Sequence, residues 1–442
     1  MFSRRNRRPA SPESPELLDA WKCLDARDVP GALRQLRAAG EDQPLGEVAL
    51  VAGRAAAAAG FDDLARAAAA LAAAPERVQA LYDFGFACVE RGVSYLAIPA
   101  LREAQRHSRG SLAVLRELVS AYEDEGRHRE ARDELVRYEH ALEEWPDRYL
   151  LVFNALMAGD LETARRQHAL LRDPEDPRWR PARDRQNRML ARAADAERAG
   201  ALDATDLRGW QYVIGGTVLG ALSPFGFGAG MTGRYAWLQD GPELCLRGLL
   251  RLRTLLAAAE LQPRSVSLLP DRGSRILGRA AAEVLDLPAE PFAPGREDTV
   301  VVAYDLNALA GHDGGPEALE QLRERVPGQV LHEHASCWTD APAIAADSVG
   351  LLHQSVVAPW APQLRQGPDG GVEQGPADDR PEAELAAVIT GADPTADPGD
   401  GDGPADPDEA FTAFATAVSG TWLRGERSRL MSAGPVPSSR FA

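Results

Sequence analysis

The chain has 442 residues, 45% of them apolar, and a formal net charge of −17. That length allows two or three domains of roughly 100–200 residues, and no apolar run approaches the ~18 residues of a membrane span. Between Gly367 and Ala410 there are 13 Asp or Glu against one Arg, which leaves −5 for the rest. Clustered Lys and Arg for phosphate contacts are confined to Arg4, Arg5, Arg7 and Arg8, so nucleic acid is not an expected partner.

Residues 1–13 read as a disordered basic tail. No apolar stretch follows the arginines, so they do not form a secretory signal. Cys23, Cys88, Cys245 and Cys337 lie far apart without a CxxC pair. They read as reduced, buried cysteines of a cytoplasmic protein. The Ala- and Arg-rich, Lys-poor composition points to a GC-rich bacterial genome.

From residue 14 to 200 the chain is periodic. Gly60, Gly92, Gly126 and Gly159 recur every 32 to 34 residues, and Ala65, Ala97, Ala131 and Ala164 each follow five residues later. Leu81, Phe84, Gly85 and Cys88 share one helical face, Gly92 takes the turn, and Ala97, Leu101 and Ala104 line a second helix. Leu115, Leu118, Tyr122, Gly126, Ala131 and Leu135 repeat the pattern. An earlier unit has Arg27 in the glycine place and Ala32 in the alanine place. Small residues let two helices approach closely, and glycine tolerates a positive φ at the turn. Five such units suffice to bury a continuous core.

The pattern resembles a tetratricopeptide repeat (TPR): large–large–small–large, a turn glycine, then small–large–small. The resemblance implies an α-solenoid whose groove binds a protein or peptide. The alternative is a rigid spacer. Arg102, Arg106, Arg129 and Arg132 either face an acidic ligand or form solvated helix faces.

Residues 205–362 change pattern. Short apolar runs at Ser265–Leu269, Thr299–Tyr304 and Gln329–His332 alternate with helical stretches at Glu243–Glu260, Ser274–Leu285, Pro316–Arg325 and Ala345–Val356. That order predicts a doubly wound, mostly parallel α/β domain, which binds ligands at the carboxyl ends of its strands. Polar clusters follow three of the strands. Asp271, Arg272, Ser274 and Arg275 open a helix whose N-terminus suits an anion. Asp305 and Asn307 follow the second strand, and His332 and His334 follow the third. Arg234 closes a glycine-rich stretch from Gly215 to Gly233, read either as a lid or as a packed loop. These nine residues are the candidate ligand-binding set, with catalytic residues and cofactor unknown. His332, Glu333, His334 and Cys337, with His353 or His312, invite a metal reading. They lack the tight pairs of zinc sites, and no metal is expected there.

The stretch Ser267–Pro288 and the strand Val300–Asp305 resemble parts of a type I phosphoribosyltransferase. Tyr304 replaces that family's first acid, and Leu306-Asn307-Ala308-Leu309 stands in place of its phosphate loop. The resemblance implies a diverged domain that binds a phosphorylated ligand differently or has lost catalysis.

Residues 363–407 read as a disordered acidic linker. The Asp400, Asp402, Asp406 and Asp408 run lacks EF-hand spacing. Residues 408–432 form an apolar-striped helix, through Phe411, Phe414, Val418 and Trp422, that is expected to dock within the chain. The expected whole is α + α/β. It is an interaction or scaffold protein whose α/β domain binds a small phosphorylated ligand. The alternatives are a transferase of that domain with the repeats as adaptor, or an α/β cap with no ligand.

Overall fold

The computed structural model describes residues 11–108, 110–340, 344–367, 370–394, 403–427 and 434–438. The arginines at 4, 5, 7 and 8, with Asp400 and Asp402, lie outside them. The chain divides into two compact units, residues 1–175 and 176–442.

The first unit is helical. It comprises α1 (Pro15–Asp25), α2 (Val29–Ala39), α3 (Leu45–Ala59), α4 (Asp62–Ala73), α5 (Val78–Glu90), α6 (Ser94–His107), α7 (Leu112–Asp124), α8 (His128–Arg137), α9 (Tyr149–Met157) and α10 (Leu161–Leu170). Each odd-numbered helix packs on the next as a hairpin, and successive hairpins pack through α2–α3, α4–α5, α6–α7 and α8–α9. Gly60, Gly92, Gly126 and Gly159 have φ between 67° and 80°. That left-handed conformation lets the chain reverse after a helix. Arg27 takes the same turn conformation at φ 63°. Ala32, Ala97, Ala131 and Ala164 are fully buried. Gly85 marks the closest approach: a Cβ there would lie 2.5 Å from Leu101 Cγ.

The second unit begins with α11 (Arg180–Ala196) and α12 (Leu207–Gly215). It continues through β1 (Val218–Leu219), β2 (Tyr235–Gln239), α13 (Pro242–Ala258), β3 (Ser265–Leu268), α14 (Arg272–Leu285), β4 (Ala289–Pro291), β5 (Thr299–Ala303), α15 (Leu306–Ala310), α16 (Gly315–Arg323), β6 (Val330–Cys337) and β7 (Ser348–Val357). The last elements are β8 (Leu364–Gln366), β9 (Val372–Gln374), α17 (Glu382–Thr390) and α18 (Asp408–Val418). The main sheet runs β1-β7-β6-β5-β3-β4 with β2 also beside β7, and every pair in it is parallel. β8 and β9 form a separate antiparallel hairpin. β5 is wholly buried, as expected for a parallel strand covered on both faces.

The chain is thus helical in its N-terminal part, with a mostly parallel sheet in its C-terminal part. Three local expectations are corrected. Ala345–Val356 was expected to be a helix, but Ser348–Val357 is a strand. A continuous buried apolar run has no period to separate the two, and here Val349, Val356 and Val357 favour the strand. The third strand extends to Cys337. The described part of 363–407 is not an unordered linker. It holds a hairpin and a helix, and its charge is locally neutralised. Asp406 Oδ1 lies 2.9 Å from Arg208 and Asp406 Oδ2 2.5 Å from Arg251. The C-terminal helix α18 packs on α13 and α11.

Candidate functional site

The parallel register assembles the strand ends. β2 ends at Gln239, so Asp240 and Gly241 lead into α13. Tyr304 follows β5 and sits beside His334 of β6, where Ala335 N–H donates to Tyr304 O at 2.8 Å. Side chains alternate along a strand, so His332 and His334 share one face of β6. Glu333 faces the other way, where its Oε1 accepts from Leu306 N–H at 2.9 Å.

On the α13 face four side chains converge, all at most 5% exposed. His334 Nε2 lies 3.0 Å from Asp240 Oδ2. Tyr304 Oη donates to the same oxygen at 2.9 Å. Cys245 Sγ is 3.5 Å from Asp240 Oδ2 and 3.6 Å from His334 Nε2. Two glycines make the slot for the imidazole. A Cβ at Gly350 would lie 2.7 Å from His334 Nδ1, and one at Gly248 3.1 Å. Trp360 covers Tyr304 edge-on at 4.8 Å.

This group is not a nucleophile–base–orienter triad. Such a relay needs the thiol and the carboxylate on opposite ring nitrogens, and here both meet Nε2. Burial also pushes the Cys245 thiol well up, with Asp240 adding to the effect, so the free thiol stays protonated and is no nucleophile. Burial likewise raises the Tyr304 phenol.

The nine sequence-derived candidates are engaged by their own chain. Asp271 caps α14 by accepting from Ser274 N–H at 2.8 Å, so its carboxylate occupies the anion position at that helix end. Ser274 Oγ accepts from Tyr304 N–H at 3.0 Å. Arg272 donates to the carbonyls of Asp378 and Arg380 at 2.8 and 3.0 Å. Arg275 pairs with Glu382 at 2.7 Å. Asp305 caps α15 through Asn307 and Ala308 N–H, and Asn307 donates to Asp340 O. His332 faces Ser348 Oγ at 3.2 Å, and burial lowers its pKa to about 3. Arg234 donates to Pro437 O at 3.0 Å. Of the nine, His334 alone belongs to the buried group, while Arg272 is held by the Asp378 and Arg380 carbonyls and Asp305 by its cap on α15.

Asp240 and Cys245 were missed in the sequence. They lie 94 and 89 residues from His334, and only strand register brings them there. The signal at hand was Asp240-Gly241-Pro242, a turn opening a helix. His312 is exposed, Cys337 and Glu333 point away from His334, and His353 lies on the opposite face of β7 from Gly350. The His332–Cys337 metal set is therefore not assembled. A separate cleft of about 1070 Å³ is lined by Leu222, Phe225, Tyr235, Glu243, Arg247 and Asp406, among others. One wall comes from the glycine-rich stretch.

No protein-family model matches the chain, and no curated protein sequence matches it. Solved structures that do match include a MamA mutant, at 21% identity over 35% of this chain and 92% of that one, with a TM-score of 0.23. They also include MamA AMB-1 C2221, at 22% identity over 35% of this chain and 93% of that one, again with a TM-score of 0.23.

Proposed function

We propose that this protein is an interaction scaffold of the TPR type, with the helical unit recruiting a protein partner. One observation carries the reading. The left-handed turn recurs at Arg27, Gly60, Gly92, Gly126 and Gly159, so five hairpins of near-equal length stack in succession. Repeat arrays of this kind give extended surfaces rather than reaction centres. Exposed aromatic side chains on them supply contact area: Phe86 is 42% and Phe61 39% exposed, and Tyr82 stacks on Phe86 at 6.3 Å.

A groove between α2, α6 and the α7–α8 turn is less open than the period alone implies. Arg37 pairs with Glu125 and Arg102 with Glu41, both at 2.6 Å, and Arg127 also pairs with Glu41. Arg102 is thus committed within the chain, and the aromatic positions outside the groove are the better partner contacts. The phosphorylated-ligand reading and the transferase alternative draw less support, since the residues proposed for them are caps and internal ion pairs.

In-cell photo-crosslinking with a benzophenone amino acid at position 86, 61 or, as control, 237 of the full chain tests the scaffold reading. A discrete protein adduct from 86 or 61, absent at 237 and lost on Tyr82→Asp, is expected. No adduct from either repeat position would overturn it.

A further inference from the structure

Three different donor atoms meet under the first turn of α13: a carboxylate oxygen, a thiol sulfur and an imidazole nitrogen, all within 4.8 Å of one another. Their separations are 3.0, 3.5 and 3.6 Å. A tetrahedral zinc ion with bonds of ~2.0–2.1 Å to nitrogen and oxygen and ~2.3 Å to sulfur holds its donors roughly 3.3–3.6 Å apart. The two sulfur edges already have that length. The oxygen–nitrogen edge needs to open by only a few tenths of an ångström. The donor set of thiolate, imidazole and one carboxylate suits zinc rather than calcium or magnesium, which take oxygen ligands.

Charge gives an independent argument. Three other buried carboxylates are held by arginines: Asp347 by Arg325 and Arg427, Asp406 by Arg208 and Arg251, and Asp147 by Arg116, whereas Glu333 accepts from the Leu306 N–H. Among the described residues no arginine or lysine pairs with Asp240, whose carboxylate meets His334, Tyr304 Oη, Cys245 Sγ and the Gly241 N–H. A buried carboxylate needs a compensating charge. A divalent ion bound to the Asp240 carboxylate and a Cys245 thiolate makes a site of zero net charge, with one proton released from the thiol.

We propose that Asp240, Cys245 and His334 form a zinc-type metal site that pins the first turn of α13 to the sheet. Tyr304 Oη, 2.9 Å from Asp240 Oδ2, orients the carboxylate or completes the coordination. Gly248 and Gly350 fix the imidazole plane. The site is closed, so its role is structural.

The test uses the full chain isolated from zinc- or cobalt-supplemented medium. The expected results are one equivalent of metal per chain by elemental mass spectrometry and a thiolate-to-cobalt charge-transfer band in the near ultraviolet. Cys245→Ser should remove the band, and Cys88→Ser and Cys337→Ser should leave it. If Cys245→Ser does not fold, the wild-type stoichiometry and a lowered Tm after prolonged chelation at elevated temperature decide the matter. Less than 0.1 equivalent of either metal in folded wild-type chain, or a band that survives Cys245→Ser, would show a hydrogen-bonded cluster instead.

Discussion

Arg427 and Asp347 are buried against each other, with Arg427 Nη2 2.7 Å from Asp347 Oδ2. They lie 80 residues apart, and this contact ties the chain's C-terminal segment into the sheet. Arg427 also donates to Leu322 O and Gln329 Oε1 at 2.8 and 2.9 Å, and Trp422 Nε1 donates to Asp347 O at 2.9 Å. Removing one partner of such a pair leaves an uncompensated buried charge, which costs about 3–5 kcal/mol. Arg427→Met should lower unfolding stability by that amount in urea titration. Removing residues 408–442 should prevent stable folding of the second unit, where a docking element that merely masks a surface would come away without loss.

The same arginines set an acid limit. Burial alone would raise the Asp347 and Asp406 carboxyls. Arg427 and Arg325 outweigh it at Asp347, and Arg208 and Arg251 at Asp406, so both stay below the ordinary value of 3.8. A depressed carboxyl contributes stability that is present above the unfolded value and lost as pH falls through the folded one. The second unit should keep this contribution down to about pH 4 and lose it below. Asp406→Asn should flatten that acid limb in a series of thermal melts from pH 5 to 2.5.

Glu123 behaves in the opposite sense. It is part-buried and accepts from Asn154 Nδ2 at 2.5 Å, and Asn154 Oδ1 meets His128 Nδ1 at 3.0 Å. Burial raises the Glu123 carboxyl to about 7 against the hydrogen bond from Asn154. A raised folded pKa means stability present below the unfolded value and lost as pH rises through the folded one. The helical unit should weaken by on the order of 1–3 kcal/mol between about pH 4.5 and 7. Glu123→Gln should abolish that slope in denaturant titrations at pH 5 and 7.5.

Gly85 and Leu101 define how closely α5 and α6 meet. Alanine at a helix-interior glycine ordinarily gains about 1 kcal/mol. Here the added Cβ falls 2.5 Å from Leu101 Cγ, and overpacking costs about 1–3 kcal/mol. Gly85→Ala should therefore destabilise by up to about 2 kcal/mol. The same substitution should be neutral or stabilising in a Leu101→Ala background. Equal effects in both backgrounds would refute the contact.

Gly350 and Gly248 both face His334 Nδ1, but a Cβ at Gly350 also falls 2.6 Å from His334 O, a backbone atom that cannot swing aside. Gly350→Ala should cost clearly more than Gly248→Ala in equilibrium unfolding.

The helical period, the turn glycines and the buried alanines were legible in the sequence, because each depends on neighbours fewer than forty residues away. Even Arg27 was placed at its turn by spacing alone, against its own reluctance to adopt a positive φ. The strands at Ser265, Thr299 and Val330 were equally plain from their apolar runs. The strand at Ser348–Val357 was not. Its apolar residues carry no period, and only its place between β6 and the β1 and β2 strands decides its conformation.

The site depended still more on tertiary contacts. Composition and spacing determined which residues follow each strand, and so offered Arg272, Asp305 and His334 as a group. Parallel register then separated them. Alternation along β6 sent His334 inward, a cap consumed Asp305, and the 378–382 segment took Arg272 and Arg275. Local patterns determined which elements form, because helix and turn preferences act over a few residues. Which polar side chains share a buried space was decided by pairings across 89 to 198 residues, which no local pattern encodes.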